Sequence, residues 1–150
     1  MLRLRSLALA LALPACGTVD LGDDFVAPNL QLDEDFFYCR IQPEVLSAQS
    51  CASGGTGEAG SCHTARSALR LNADAERVPP PMCDANRVIG LVPLEYEANL
   101  AAVRFTIQSD PLSSPFFTRP TGQASHPRTI FDAASPEAQL IIEWIAGGGG

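Results

Sequence analysis

The sequence predicts a small, mostly α-helical domain with long irregular loops, and three observations carry that expectation. Apolar residues recur at helical spacing in separated stretches, and no stretch alternates in the way a half-buried strand requires. The chain between those stretches is dense in Gly, Pro, Ser and Thr, the residues of turns and loops. With 12 Gly and 12 Pro among 150 residues, regular elements must be short and separated.

The first 32 residues stand outside that domain. Met1-Leu-Arg-Leu-Arg followed by the apolar run Leu7–Leu13 and by Pro14-Ala15 reads as an export signal over 1–15. The run is too short to cross the hydrocarbon of a bilayer. Leu13-Pro14-Ala15-Cys16 resembles the lipobox of bacterial lipoproteins. The resemblance implies that Cys16 is acylated and becomes the first residue of an exported chain, held to a membrane by its lipid. Ordinary cleavage leaving Cys16 as a free thiol is the alternative. Gly17, rather than Asp, resembles the pattern sent to an outer membrane, facing periplasm or surface. Residues 16–32 contain Asp20, Asp23 and Asp24 and few large apolar side chains, the composition of a flexible acidic tether.

A single domain is expected over 33–147, with 148–150 fraying. Asp33-Glu34-Asp35 ahead of Phe36-Phe37, Ile41, Val45 and Leu46 predicts a first helix over about 34–49, in which Pro43 should produce a kink or a later start. Ala52–Ser61 holds Gly54, Gly55, Gly57 and Gly60 and is a loop. A short helix is expected from His63 to about Asn72, and Pro79-Pro80-Pro81 forces an extended segment. Tyr96, Leu100, Val103 and Ile107 mark a helix from Leu94 to about Ile107, and Ser109–Ser135 is irregular. In the last helix Ser135 is the N-cap, Pro136 suits the first turn and Glu137 complements its positive end. Ala138, Ile141, Ile142 and Ile145 form its core stripe.

The formal charge is −7, and loss of the two leader arginines leaves eight Arg against 17 carboxylates, or −9. So acidic a surface argues against nucleic acid as a partner. There is no lysine.

The most informative residues are Cys62-His63, with Cys51 upstream across the Gly-rich loop. With the first helix and the closing Ser135–Gly147 segment they resemble a c-type cytochrome domain over most of 36–147. That resemblance implies a cytochrome c-like helical fold and one covalent haem c, with Cys51 and Cys62 as its thioethers and His63 as the proximal iron ligand. The family's usual spacing is C-x-x-C-H, whereas ten residues separate these cysteines. Lengthening the loop from two to ten residues adds on the order of 1.4 kcal/mol of closure entropy, small beside two covalent bonds.

For the second ligand the candidates are His126, the one other histidine, and Met82, the one methionine left after the leader. His126, in a Gly- and Pro-flanked loop before the last helix, is favoured, and Met82 is the alternative. Apolar contacts would come from Phe36, Phe37, Leu69, Phe105, Phe116, Phe117, Ile130, Phe131 and Trp144, and Arg66, Arg70, Arg119 or Arg128 could meet haem carboxylates. Once Cys16, Cys51 and Cys62 are allotted, Cys39 and Cys83 remain, and in an exported protein such a pair tends to bridge.

Two protein ligands on iron leave no open position, so the resemblance implies single-electron transfer to a redox partner protein and not an enzyme. The rival reading is a haem-free exported lipoprotein, stapled by disulfides among Cys39, Cys51, Cys62 and Cys83, with a binding or structural role. A thiolate zinc site from the same residues suits an oxidising compartment poorly. No arrangement along the chain supports a Cys–His nucleophile or a phosphate-cradling loop.

Overall fold

The structure, a computed structural model, describes residues 30–54, 62–65 and 67–147. The export signal, Cys16 and most of the tether lie outside the described residues, as do Arg66, most of the Gly-rich loop and 148–150.

The fold is small and mostly helical. Helix α1 opens at Glu34–Phe36, where the Asp33 carboxylate accepts from the Phe36 N–H at 2.9 Å, and continues as Phe37–Ser47 in a π-helical winding. Pro43 accounts for the winding. A proline ring strikes the carbonyl four residues back and lacks an N–H to donate, and a wider turn moves that carbonyl away. The start is not shifted later: the helix carries Pro43 inside an 11-residue π winding, far longer than an ordinary π-bulge. Its i−5 pattern persists past the helix, with Ala48 N–H donating to Pro43 C=O and Cys51 N–H to Leu46 C=O. Phe36, Phe37, Ile41, Val45 and Leu46 form its buried face.

Helix α2 is a single turn, Cys62–Ala65, shorter than the expected run to Asn72. A 3₁₀ turn follows at Ala73–Glu76, capped by the Asn72 side chain. Strands β1, Cys83–Asp84, and β2, Arg87–Val88, form a two-stranded antiparallel hairpin in the register Cys83↔Val88. The sequence suggests no sheet; strands of two residues are too short to leave a period. Cys39 and Cys83 are joined by a disulfide that fastens this hairpin to α1.

Helix α3 is Leu94–Arg104, three residues shorter than expected, because the Thr106 hydroxyl donates to the Val103 carbonyl and closes its end. Within the stretch read as irregular lies one helical turn, α4, Pro115–Thr118. Helix α5 is Pro136–Ile145, with Ser135 Oγ accepting from the Ala138 N–H at 3.2 Å. Its stripe is rotated from the expected one: Ala138, Leu140, Ile141, Trp144 and Ile145 are buried and Ile142 is half-buried.

The core lies where α5 crosses α1. Trp144 packs on Phe37 with ring centroids 5.2 Å apart and on Phe116 of α4 at 6.0 Å, while its indole N–H donates to the Asp33 carbonyl. Behind it, α3 is joined to α1 by a buried polar chain. Asn99 donates to Gln42, Gln42 to the Ser47 hydroxyl, and Ser47 to the Ala75 carbonyl. Among the described residues no buried side-chain nitrogen or oxygen lacks a partner. This scaffold leaves a cleft on the side of α1 and α5 that faces α2 and the loop between α4 and α5.

Candidate functional site

The cleft has apolar walls. Val45 and Leu46 come from α1, Leu69 and Leu71 from the segment after α2, Phe116 from α4, Ile130 and Phe131 from the loop, and Ile141 from α5. Into the same cleft come Cys51, Cys62, His63 and His126, with Arg119 and Arg128 among its lining residues. Four residues spread over 76 positions of sequence therefore meet in one place.

Each histidine is placed by its own device. His63 sits in α2, whose backbone is tied to both flanks: His63 N–H donates to the Ala52 carbonyl at 3.4 Å, and His63 C=O accepts from Leu71 at 2.8 Å. His126 rides on a loop whose ends are pinned together, since Pro120 C=O accepts from both Ile130 and Phe131. Gly122 makes that loop possible. Its φ is +76°, and a Cβ there would lie 2.5 Å from the Thr129 hydroxyl oxygen.

The imidazole centroids are 5.9 Å apart and their planes lie within 20° of parallel. Two metal–nitrogen bonds of about 2 Å, plus the short step from each nitrogen to its ring centre, would set two imidazoles sharing one metal roughly 6 Å apart. The second ring nitrogens also fit. His126 Nδ1 lies 2.6 Å from the Arg128 carbonyl, an acceptor with nothing to donate, so Nδ1 carries the proton. His63 Nδ1 lies 2.7 Å from Ser67 Oγ, whose own hydrogen goes to the Leu69 carbonyl at 2.5 Å. Ser67 therefore accepts from His63 Nδ1–H. Each ring thus has its Nδ1 engaged by an oxygen behind it, a contact that metal-ligating histidines commonly make. Burial, then the neighbouring His126, pushes the His63 pKa down, which keeps the ring neutral and able to ligate.

The thiols differ. Cys62 is exposed and Cys51 half-buried, and neither is disulfide-bonded. Burial, reinforced by the Glu76 carboxylate, pushes the Cys51 thiol up to about 12, so it stays protonated and a poor ligand for a bare metal. Glu76 also accepts from the N–H groups of Ala52 and Ser53, at 2.8 and 3.1 Å, and so fixes the turn just after Cys51. Next to that turn, Gly54 has φ +83°, and a Cβ there would stand 2.9 Å from Cys62 Sγ.

Among the described residues no three His, Cys, Asp or Glu are grouped to hold a metal ion. Two imidazoles, two thiols outside any such group, apolar walls and two guanidinium groups suit a metal that brings its own equatorial ligands, as haem does.

The remaining candidates fall elsewhere. Met82 is 68 % exposed on the far side of the hairpin and does not line the cleft. Phe105, expected as an apolar contact, is 91 % exposed, because α3 ends before it and turns it outward. Phe36, Phe37, Phe117 and Trp144 belong to the core, whereas Leu69, Phe116, Ile130 and Phe131 line the cleft. Arg70 donates to the Thr64 carbonyl and is not part of the lining. Sequence reasoning missed Ser67 and Glu76, and read Gly54 as a loop residue without its close approach to Cys62. Ser67 lies four residues after His63, a spacing that would have hinted at a partner only had α2 continued. Comparison of the chain with protein-family models, curated proteins and solved structures finds no match.

Proposed function

We propose that this chain is a lipid-anchored mono-haem c-type cytochrome that passes single electrons to a partner protein, its body a cytochrome c-like helical domain. The observation that carries the reading is the meeting of His63 and His126, 5.9 Å apart with both Nδ1 protons engaged, in a cleft that also holds Cys51 and Cys62. In this reading Cys51 and Cys62 are the thioether cysteines, and His63 and His126 are the two iron ligands. A haem held by these residues would supply one-electron chemistry.

The chain's own residues prepare the site in three ways. Ser67 and the Arg128 carbonyl fix the imidazole tautomers. Leu69, Phe116, Ile130, Phe131 and Ile141 exclude water. Arg119 and Arg128 offer positive charge to carboxylates in an otherwise acidic protein. With His63 and His126 both holding the iron, such a haem would serve single-electron transfer and not substrate binding.

The test is the intact mass of protein exported in cells with a haem-ligation system. The expected result is polypeptide, acyl chains and one haem that survives denaturation. His126→Ala should then alter the visible spectrum, while Met82→Ala leaves it unchanged. Folded, exported protein without haem mass would overturn the proposal in favour of a disulfide-stapled, haem-free lipoprotein.

A further inference from the structure

A second feature lies away from the cleft. Met82, Ile89, Leu91 and Leu94 are 68, 63, 94 and 76 % exposed, a density of large apolar side chains uncommon on one side of a small acidic body. They are neighbours in space. Ile89 N–H donates to the Met82 carbonyl at 2.9 Å, Met82 and Leu91 line one shallow groove, and Leu94 opens α3 three residues later.

Their position relative to the N-terminal segment decides what covers them. The described chain begins at Leu30 and enters α1 at Glu34. The Cys39–Cys83 bridge, with Cα atoms 6.1 Å apart, places Met82 beside the second turn of that helix. Arg87 on β2 also reaches Asp35 at 3.9 Å. The hairpin part of this side, with Met82 and Ile89, therefore adjoins the point where the chain from Cys16 arrives, and Leu94 lies at the opposite end of α3 from Arg104, which pairs with Glu34. That connecting chain, residues 17–29, spans at most about 50 Å whatever its conformation. A compact body of this size is roughly 35 Å across. A path round to its opposite face is about as long as the connection at full stretch. With Cys16 in a bilayer, the connection lets the side bearing these four residues meet lipid without being stretched.

We propose that Met82, Ile89, Leu91 and Leu94 rest on the bilayer that holds the lipid anchor, turning the domain so that one side is fixed against the membrane. The inference rests on the lipoprotein reading. Its chemistry is apolar contact at the headgroup–acyl boundary, not attraction to anionic lipid, which the net charge of −7 for the whole sequence opposes.

The test uses the full acylated protein, haem included, in phosphatidylcholine vesicles carrying a phosphatidylcholine with a diazirine on its acyl chain. After illumination, lipid adducts are mapped on tryptic peptides. The expected adducts fall on Val78–Arg87 and Val88–Arg104, and Met82→Asp with Leu91→Asp lowers them at least fivefold while the visible spectrum stays unchanged. Acylated protein with adducts absent from these peptides, or spread evenly over the body, overturns the proposal. Cross-linking of two copies through residues 82–94 without lipid adducts does so as well. A mass lacking acyl chains overturns the anchored reading itself, and this inference with it.

Discussion

A histidine that binds metal must present a lone pair in a fixed direction, and in the proposed site the two oxygens behind the rings would set it. Ser67 is the less obvious one, because its hydroxyl accepts from His63 only while its own hydrogen is occupied by Leu69 C=O. Ser67→Ala removes the acceptor and frees the ring to turn or change tautomer. Loss of such an outer contact typically weakens a metal site about 10- to 100-fold. For a covalently held haem the expected outcome is a shifted reduction potential and a broadened visible spectrum with haem content unchanged, read by spectroelectrochemistry. Gly54 makes a different demand. Alanine there meets a positive φ, costing roughly 1–2 kcal/mol, and places a methyl 2.9 Å from Cys62 Sγ. Gly54→Ala should lower the fraction of exported chains carrying haem, measured by intact mass, while the Cys39–Cys83 bridge still forms. Unchanged loading would mean that the Cys62 sulfur need not pass Gly54. Cys51, Cys62, His63 and His126 are legible in the sequence because their chemistry is rare there: two histidines, and few cysteines. Ser67 and Glu76 act through a hydrogen bond and a charge, which have no composition signal, and Gly54 shows in the sequence as a loop glycine but not as the void beside Cys62.

Elements were legible in proportion to how far local chemistry alone sets them. Helix α5 is signalled by its cap, its proline and its aliphatic stripe, and it occupies Pro136–Ile145. The Ser135 cap is worth about 1 kcal/mol. Ser135→Ala should therefore lower the melting temperature by roughly 4 °C, seen by circular dichroism, with the visible spectrum of the haem form intact. A larger loss would show that α5 also governs the cleft through Ile141. Helix α1 was half legible. Its acidic cap and apolar face were evident, whereas Pro43 pointed to a kink or a later start and not to a π winding that runs through it. The loop carrying His126 was the least legible element. Pro- and Gly-rich sequence reads as irregular, and the closure at Pro120 is made by backbone atoms that every residue possesses.

On the scale of the whole molecule, the disulfide and the cleft sit on different parts of α1. Cys39 lies in its first half and is bonded to the hairpin, whereas Val45, Leu46 and Cys51 border the cleft at its far end. The bridge closes a loop of 44 residues, for which chain-entropy arguments give about 4 kcal/mol of stabilisation. Its removal by Cys39→Ser with Cys83→Ser loosens the hairpin and the apolar side built on it. The His63–His126 pair is held instead by Ala52, Leu71, Ser67 and Pro120, none of which the bridge touches. Stability and site are therefore separable. The double variant should unfold at markedly lower denaturant while its visible spectrum and reduction potential match the parent's, measured on the same sample under native conditions. A spectrum that changes along with stability would mean that α1 transmits the hairpin's position to the cleft, and that fastening the helix at Cys39 also sets the distance between the two imidazoles.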